Sequence, residues 1–138
     1  DTARCLVPPP EITIRDQKAK LGAFFFGSST EAAREALDKL EENGISVNSM
    51  RIRSLPFQKE VFDFIDTHDL VFAIEQNRDS QMKILLSGEC QIAPGKMVSV
   101  LNFNGLPITA TMIVNQIHTT LLTRRTYLPK GGLKEVTP

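Results

Sequence analysis

The chain has no surplus of either charge: sixteen lysines and arginines face sixteen aspartates and glutamates. Nucleic-acid proteins usually carry a basic excess, so this balance argues against nucleic acid as a partner. No apolar run approaches the ~18 residues of a membrane-spanning helix, and no membrane partner is expected. A charged N-terminal region followed by an apolar stretch is also missing, so no secretory signal is expected and a cytoplasmic location is. Cysteine is scarce. Cys5 and Cys90 stand far apart, cannot assemble a zinc or iron–sulfur site, and read as two free intracellular thiols. Familiar catalytic signatures are absent too. There is no G-x-S-x-G elbow with a Ser–His–acid set, and the acidic residues are too scattered to hold a metal. The turn Gly27-Ser28-Ser29-Thr30 is neither a phosphate loop nor a G-x-G-x-x-G fingerprint, and it lacks the acidic pair that a phosphoacceptor receiver domain carries after its first strand. The sequence does not begin with Met and soon reaches Pro8-Pro9-Pro10, which suits a linker within a longer polypeptide.

What is present is an alternation. A length of 138 residues suits one domain, and an apolar fraction of 41% supports a real core. Strand patterns at 21–26, 45–53, 70–74 and 97–101 are separated by helical patterns that end near Glu42, Thr67 and Ser87. A further helix follows Thr109. Strands alternating with helices predict an α/β fold, a three-layer α/β/α sandwich with a mainly parallel sheet and right-handed crossovers. Within it, Ser28 and Glu31 fit a capping box, Asn43-Gly44 a helix stop, and Gly88 the close of the third helix. The apolar parity changes between Val47 and Met50, which predicts a bend or bulge near Asn48-Ser49. The buried face of the last helix is read as Met112 or Ile113, Gln116 or Ile117, and Leu121. Residues 1–17 are expected to be a linker with a candidate edge strand at 11–15, residues 18–122 the domain, and 123–138 a tail.

Two segments stand out as candidate sites. Val71-Phe-Ala-Ile74 reads as a strand covered on both faces, followed by Glu75, Asn77, Arg78, Asp79 and Gln81. Open α/β sheets bind ligands and partners at the carboxyl ends of their strands. These residues suit an interface or an active-site edge, or else simple pairing and capping. Ser28, Ser29 and Thr30 lie between a strand and a helix N-terminus and suit either capping or an anion. Arg51 and Arg53 share one parity and suit an acidic partner, or a solvated strand end. His68, beside Asp69, reads as a cation favoured at a helix C-terminus, and His118 as a surface residue.

Several segments together resemble one family. They are Phe26-Gly-Ser-Ser-Thr30 with Glu35-Ala-Leu37, Arg51-Ile-Arg-Ser-Leu-Pro-Phe57, Glu60-Val61, Phe64-Ile65, Val71 to Asp79 with Gln81, and Gly105-Leu-Pro-Ile-Thr-Ala110. In this order they resemble the C-terminal domain of the alpha subunit of 2-oxoacid:ferredoxin oxidoreductases, of the 2-oxoglutarate type, which is similar in fold to the C-terminal domain of transketolase. The resemblance covers residues 18–120, and Ser80 stands where Asp-Gly-Gln versions of the motif have Gly. The tail after Leu122 matches nothing in that family.

The resemblance implies a non-catalytic interface domain within an enzyme that oxidatively decarboxylates a 2-oxoacid to an acyl-coenzyme A. It implies thiamine diphosphate, magnesium, iron–sulfur clusters and coenzyme A for the holoenzyme, none of them bound by this chain. The implied partners are the remaining alpha-subunit domains and the beta subunit, with ferredoxin reached indirectly. Glu75, Asn77, Arg78, Asp79, Gln81 and Arg53 would form its interface or active-site edge. The residues by themselves leave open a stand-alone module that binds a small anion through Ser28, Ser29 and Thr30, and, less favoured, a small hydrolase using Ser28 or Ser29.

Overall fold

The computed structural model of the chain describes residues 10–53, 59–75, 84, 86, 88, 95–101 and 108–124, with the backbone alone at 28, 101 and 124. Apolar runs become strands buried on both faces. In β2 (Leu21–Phe25), Leu21, Ala23 and Phe25 join one core cluster while Phe24 joins another across the sheet. β4 (Leu70–Glu75) alternates in the same way, with Leu70, Phe72 and Ile74 on the first face and Val71 and Ala73 on the second. Every one of these side chains is at most 4% exposed. Each large one contributes roughly 1.5–3 kcal/mol by leaving water.

Five strands form one sheet in the order β1-β3-β2-β4-β5, with β1 at Glu11–Thr13, β3 at Val47–Arg51 and β5 at Met97–Leu101. β1 runs antiparallel to β3 at one edge, and all other pairings are parallel. Helices α1 (Thr30–Glu42) and α3 (Ala110–Arg124) cover the first face. Helix α2 (Lys59–Thr67) and Leu86, in a helical stretch, cover the second. The α/β/α sandwich is therefore as expected. The chain leaves β2 toward β3 over the first face, then leaves β3 toward β4 over the second. Right-handed crossovers produce that reversal.

Local chemistry sets the element ends. α1 stops in a Schellman motif: Ile45 N–H donates to Leu40 O at 2.9 Å and Gly44 N–H to Glu41 O at 3.0 Å. Gly44 holds φ 85°, a left-handed position where a side chain would be strained. Thr109 caps α3 through Met112 N–H, which donates to its Oγ1 at 3.2 Å. On α3 the core side chains are Ile113, Val114, Ile117 and Leu121, which settles the alternatives in favour of Ile113 and Ile117.

Four expectations need correcting. β3 pairs one-to-one with β2 from Val47 to Arg51, so there is no bulge. The parity change arises because both faces of this inner strand are buried, with Val47 in one cluster and Met50 in the other. The capping box is out of register. A 3-10 turn at Gly27–Ser29 precedes α1, the N-cap is Ser29, and it makes no side-chain cap bond. Gly88 is itself helical and not a residue that follows the helix. His68, read as a cation at a helix C-terminus, is instead 3% exposed and lies in the core.

Its surroundings explain why. Asn48 Oδ1 accepts the N–H groups of Arg15 at 2.8 Å and Asp16 at 3.2 Å, which fixes the amide orientation. Asn48 Nδ2 then donates to Asp16 O at 3.1 Å and to His68 Nε2 at 3.0 Å. His68 Nδ1–H donates to Phe64 O at 2.6 Å. With Nε2 accepting and Nδ1 donating, the ring is the neutral imidazole. The same segment is anchored by Arg15, whose guanidinium reaches Asp38 and Glu41 at 2.6 Å each. Partial burial of Arg15 opposes its charge, but the hydrogen bonds to the two carboxylates prevail and raise its pKa above the usual value.

Candidate functional site

The strand order creates a working edge. β2 and β4 are neighbours in the sheet, yet the crossovers that leave them run on opposite faces. Their carboxyl ends therefore flank the topological switch point, where doubly wound sheets open a crevice. The two candidate segments from the sequence sit there. Phe24 pairs with Ala73, so Phe26 and Glu75 lie two steps further along the same strands. After Phe26 the chain turns through Gly27, whose φ of 59° is left-handed, into the 3-10 turn and α1.

Glu75 is the last residue of β4 and is fully buried. Alternation along β4 turns it to the α2 face, with Val71 and Ala73. A buried carboxylate costs several kcal/mol to desolvate unless hydrogen bonds or charges compensate it. Glu75 is not left without a partner. Asn77, Arg78, Asp79 and Gln81 lie outside the described residues, as do Cys5, Cys90 and the side chain of Ser28.

Two hydroxyls of the turn, those of Ser29 and Thr30, are directed back into it. Ser29 Oγ donates to Phe26 O at 2.7 Å and Thr30 Oγ1 donates to Gly27 O at 2.8 Å. Both residues are buried. The Ser29 and Thr30 hydroxyls thus brace the strand-to-helix turn, where backbone N–H groups are the usual anion ligands.

Arg53 lies at the same carboxyl edge, two residues beyond β3. Together with Arg51 and Arg34 it surrounds the carboxylate of Glu11, a residue whose role the sequence did not signal. Arg51 Nη1 is 3.0 Å from Glu11 Oε1, Arg34 Nη2 is 3.3 Å from Oε2, and Arg53 Nε is 3.8 Å from Oε1. The pairing of Glu11 with Arg51 across β1 and β3 brings the four residues together. An edge strand could be read from Ile12 and Ile14, but no local pattern shows which residue it would face. A surface cavity of about 270 Å³ lies at the opposite, amino-terminal edge, lined by Asp16, 18–21 and 44–46. Among the described residues no cluster of His, Cys, Asp or Glu suits a metal ion, and no helix is long and apolar enough to cross a membrane.

No family model matches the sequence. The chain is 30% identical over 95 residues to "2-oxoacid:ferredoxin oxidoreductase 2, subunit alpha" of Aeropyrum pernix, a match spanning 67% of this chain and 14% of the relative. The fold superposes on the 2-oxoglutarate:ferredoxin oxidoreductase of Magnetococcus marinus with a TM-score of 0.75 at 27% identity, over 86% of this chain and 20% of that one. The chain carries a domain of the 2-oxoacid:ferredoxin oxidoreductase alpha-subunit family. This alpha-subunit domain also shares its fold with a split-gene transketolase at TM-score 0.60 and 23% identity, over 81% of this chain and 41% of that one. The alpha chain of a probable 2-oxoacid ferredoxin oxidoreductase from Thermoplasma acidophilum superposes at TM-score 0.51 and 23% identity, over 83% of this chain and 97% of that one. The Magnetococcus structure holds 2-oxoglutarate, coenzyme A and succinyl-CoA.

Proposed function

We propose that this alpha-subunit domain is an interface domain of a thiamine-diphosphate-dependent 2-oxoacid:ferredoxin oxidoreductase, which decarboxylates the 2-oxoacid and forms an acyl-coenzyme A. The observation that carries the reading is the 30% identity to an alpha subunit, spread over 67% of the chain. 2-Oxoglutarate is the favoured substrate, because the relative that holds it superposes over 86% of the chain. Two cysteines in the whole sequence do not fit an iron–sulfur cluster, which takes four thiolates. The clusters, and the thiamine cofactor, belong in this reading to other domains and to the beta subunit.

The domain's own contribution is positional. The switch-point edge meets the neighbouring alpha-subunit domains and the beta subunit. Glu75 is a carboxylate buried at a rigid strand end, and in this reading it holds the shape of the edge that the neighbours meet. Asn77, Arg78, Asp79 and Gln81 extend that edge, and the 27–30 turn closes it from the β2 side. Glu75→Gln keeps the shape and removes the charge, and Asn77→Ala removes an amide. Each variant in the complete enzyme should stay folded by circular dichroism. Each should lower assembly affinity or turnover of the 2-oxoacid by about tenfold or more, as loss of an interfacial hydrogen-bonded group does. Unchanged assembly and turnover in both variants would remove the edge from the function.

A further inference from the structure

We infer that the Arg34, Arg51 and Arg53 corner is a docking point for an acidic, extended segment of a neighbouring polypeptide. The inference rests on the reading of this domain as an interface domain and adds the chemistry of what it meets. Three guanidinium groups converge on the single carboxylate of Glu11, which leaves a local charge of about +2 in a chain whose total is zero. Only the contacts at 3.0 and 3.3 Å are hydrogen bonds, and Arg53 Nε at 3.8 Å is not one. Arg51 Nε is buried with no acceptor among the described residues. The guanidinium side chains remain 38–52% exposed, so unused donors face outward.

The setting favours a chain over a small anion. The arginines are spread along a strand end and a helix beside β1, and the cavities among the described residues lie elsewhere, lined by residues such as Lys18 and Gly44, or Asn115 and Thr119. β1 is an edge strand, paired on one side only among the described residues. Ile12 within β1 and Ile14 just after it are 41% and 46% exposed. An extended segment with a carboxylate and an apolar side chain matches that combination, adding backbone pairing at the edge to charge complementarity at its end.

The test is the double variant R34Q/R53Q in the assembled enzyme. Arg51 is kept, because it holds Glu11 and with it the end of β1. The expected result is assembly weakened about tenfold at ~0.1 M salt, a gap that narrows at high salt, and recovery in R34K/R53K. Unchanged affinity in R34Q/R53Q, where Glu75→Gln does weaken assembly, overturns the docking point alone. If neither variant has an effect, the interface reading falls with it. A third result, inorganic phosphate binding to the chain and lost in R34Q/R53Q while assembly is intact, makes the corner a small-anion site and also overturns the proposal.

Discussion

At the scale of single residues, Asn48 and His68 show how far local pattern can mislead. His68 precedes Asp69 at the end of a helical stretch, which suggests a cation favoured by the helix C-terminus. Its true partner is 20 residues away and is set beside it by the sheet. Asn48 sits where the apolar parity changes, which suggests an irregular strand, yet all its amide atoms are bonded. Removing that amide takes away the acceptor of the Arg15 and Asp16 N–H groups and the buried donor to His68 Nε2. Asn48→Ala should therefore destabilise the chain by about 3 kcal/mol, at the upper end of the cost of stranded polar groups. Urea unfolding checks this through a lower midpoint at unchanged slope. Glu75 is different: its place straight after a run of apolar residues marks it as the end of a strand covered on both faces, and it is the buried last residue of β4.

At the scale of elements, every β-strand of the sheet was visible as an apolar run or an alternation, including the short edge strand from Ile12 and Ile14. Ends that depend on backbone geometry were less visible. The stop at Asn43-Gly44 could be read, since glycine meets the left-handed cap directly. The start of α1 could not, because two adjacent serines and a threonine offer several caps and the intervening 3-10 turn shifts the register. The packing of α2 on β2 has a consequence of its own. A Cβ placed on Gly22 would lie 2.9 Å from the Phe64 ring and 3.1 Å from the His68 ring. Both rings are buried, and His68 is held through both nitrogens, so neither can retreat freely. Gly22→Ala should cost about 2 kcal/mol, as overpacking does, despite replacing glycine in a strand. A thermal midpoint no lower than that of the parent chain would mean that α2 lies more loosely on the sheet.

At the scale of the whole molecule, the fold class followed from the alternation of periods, but the strand order did not. Only the order β1-β3-β2-β4-β5 puts the switch point between the ends of β2 and β4 and so joins two sequence motifs 45 residues apart into one edge. The arginine corner required tertiary knowledge as well, since Glu11, Arg34 and Arg51 belong to three different elements. Amide hydrogen exchange tests this arrangement. In the free chain, β2 and β4, enclosed by neighbours and by both helical layers, should exchange slowest, and β1 and β5 faster. On assembly with the other subunits, new protection should appear at 26–30, at Glu75 and along β1, because these carry the switch-point edge and the charged strand edge. The cavity at 18–21 and 44–46 lies at the far end of the same strands and should gain none. Protection gained there instead, with the carboxyl edge unchanged, would show that the domain meets its neighbours with the amino ends of its strands.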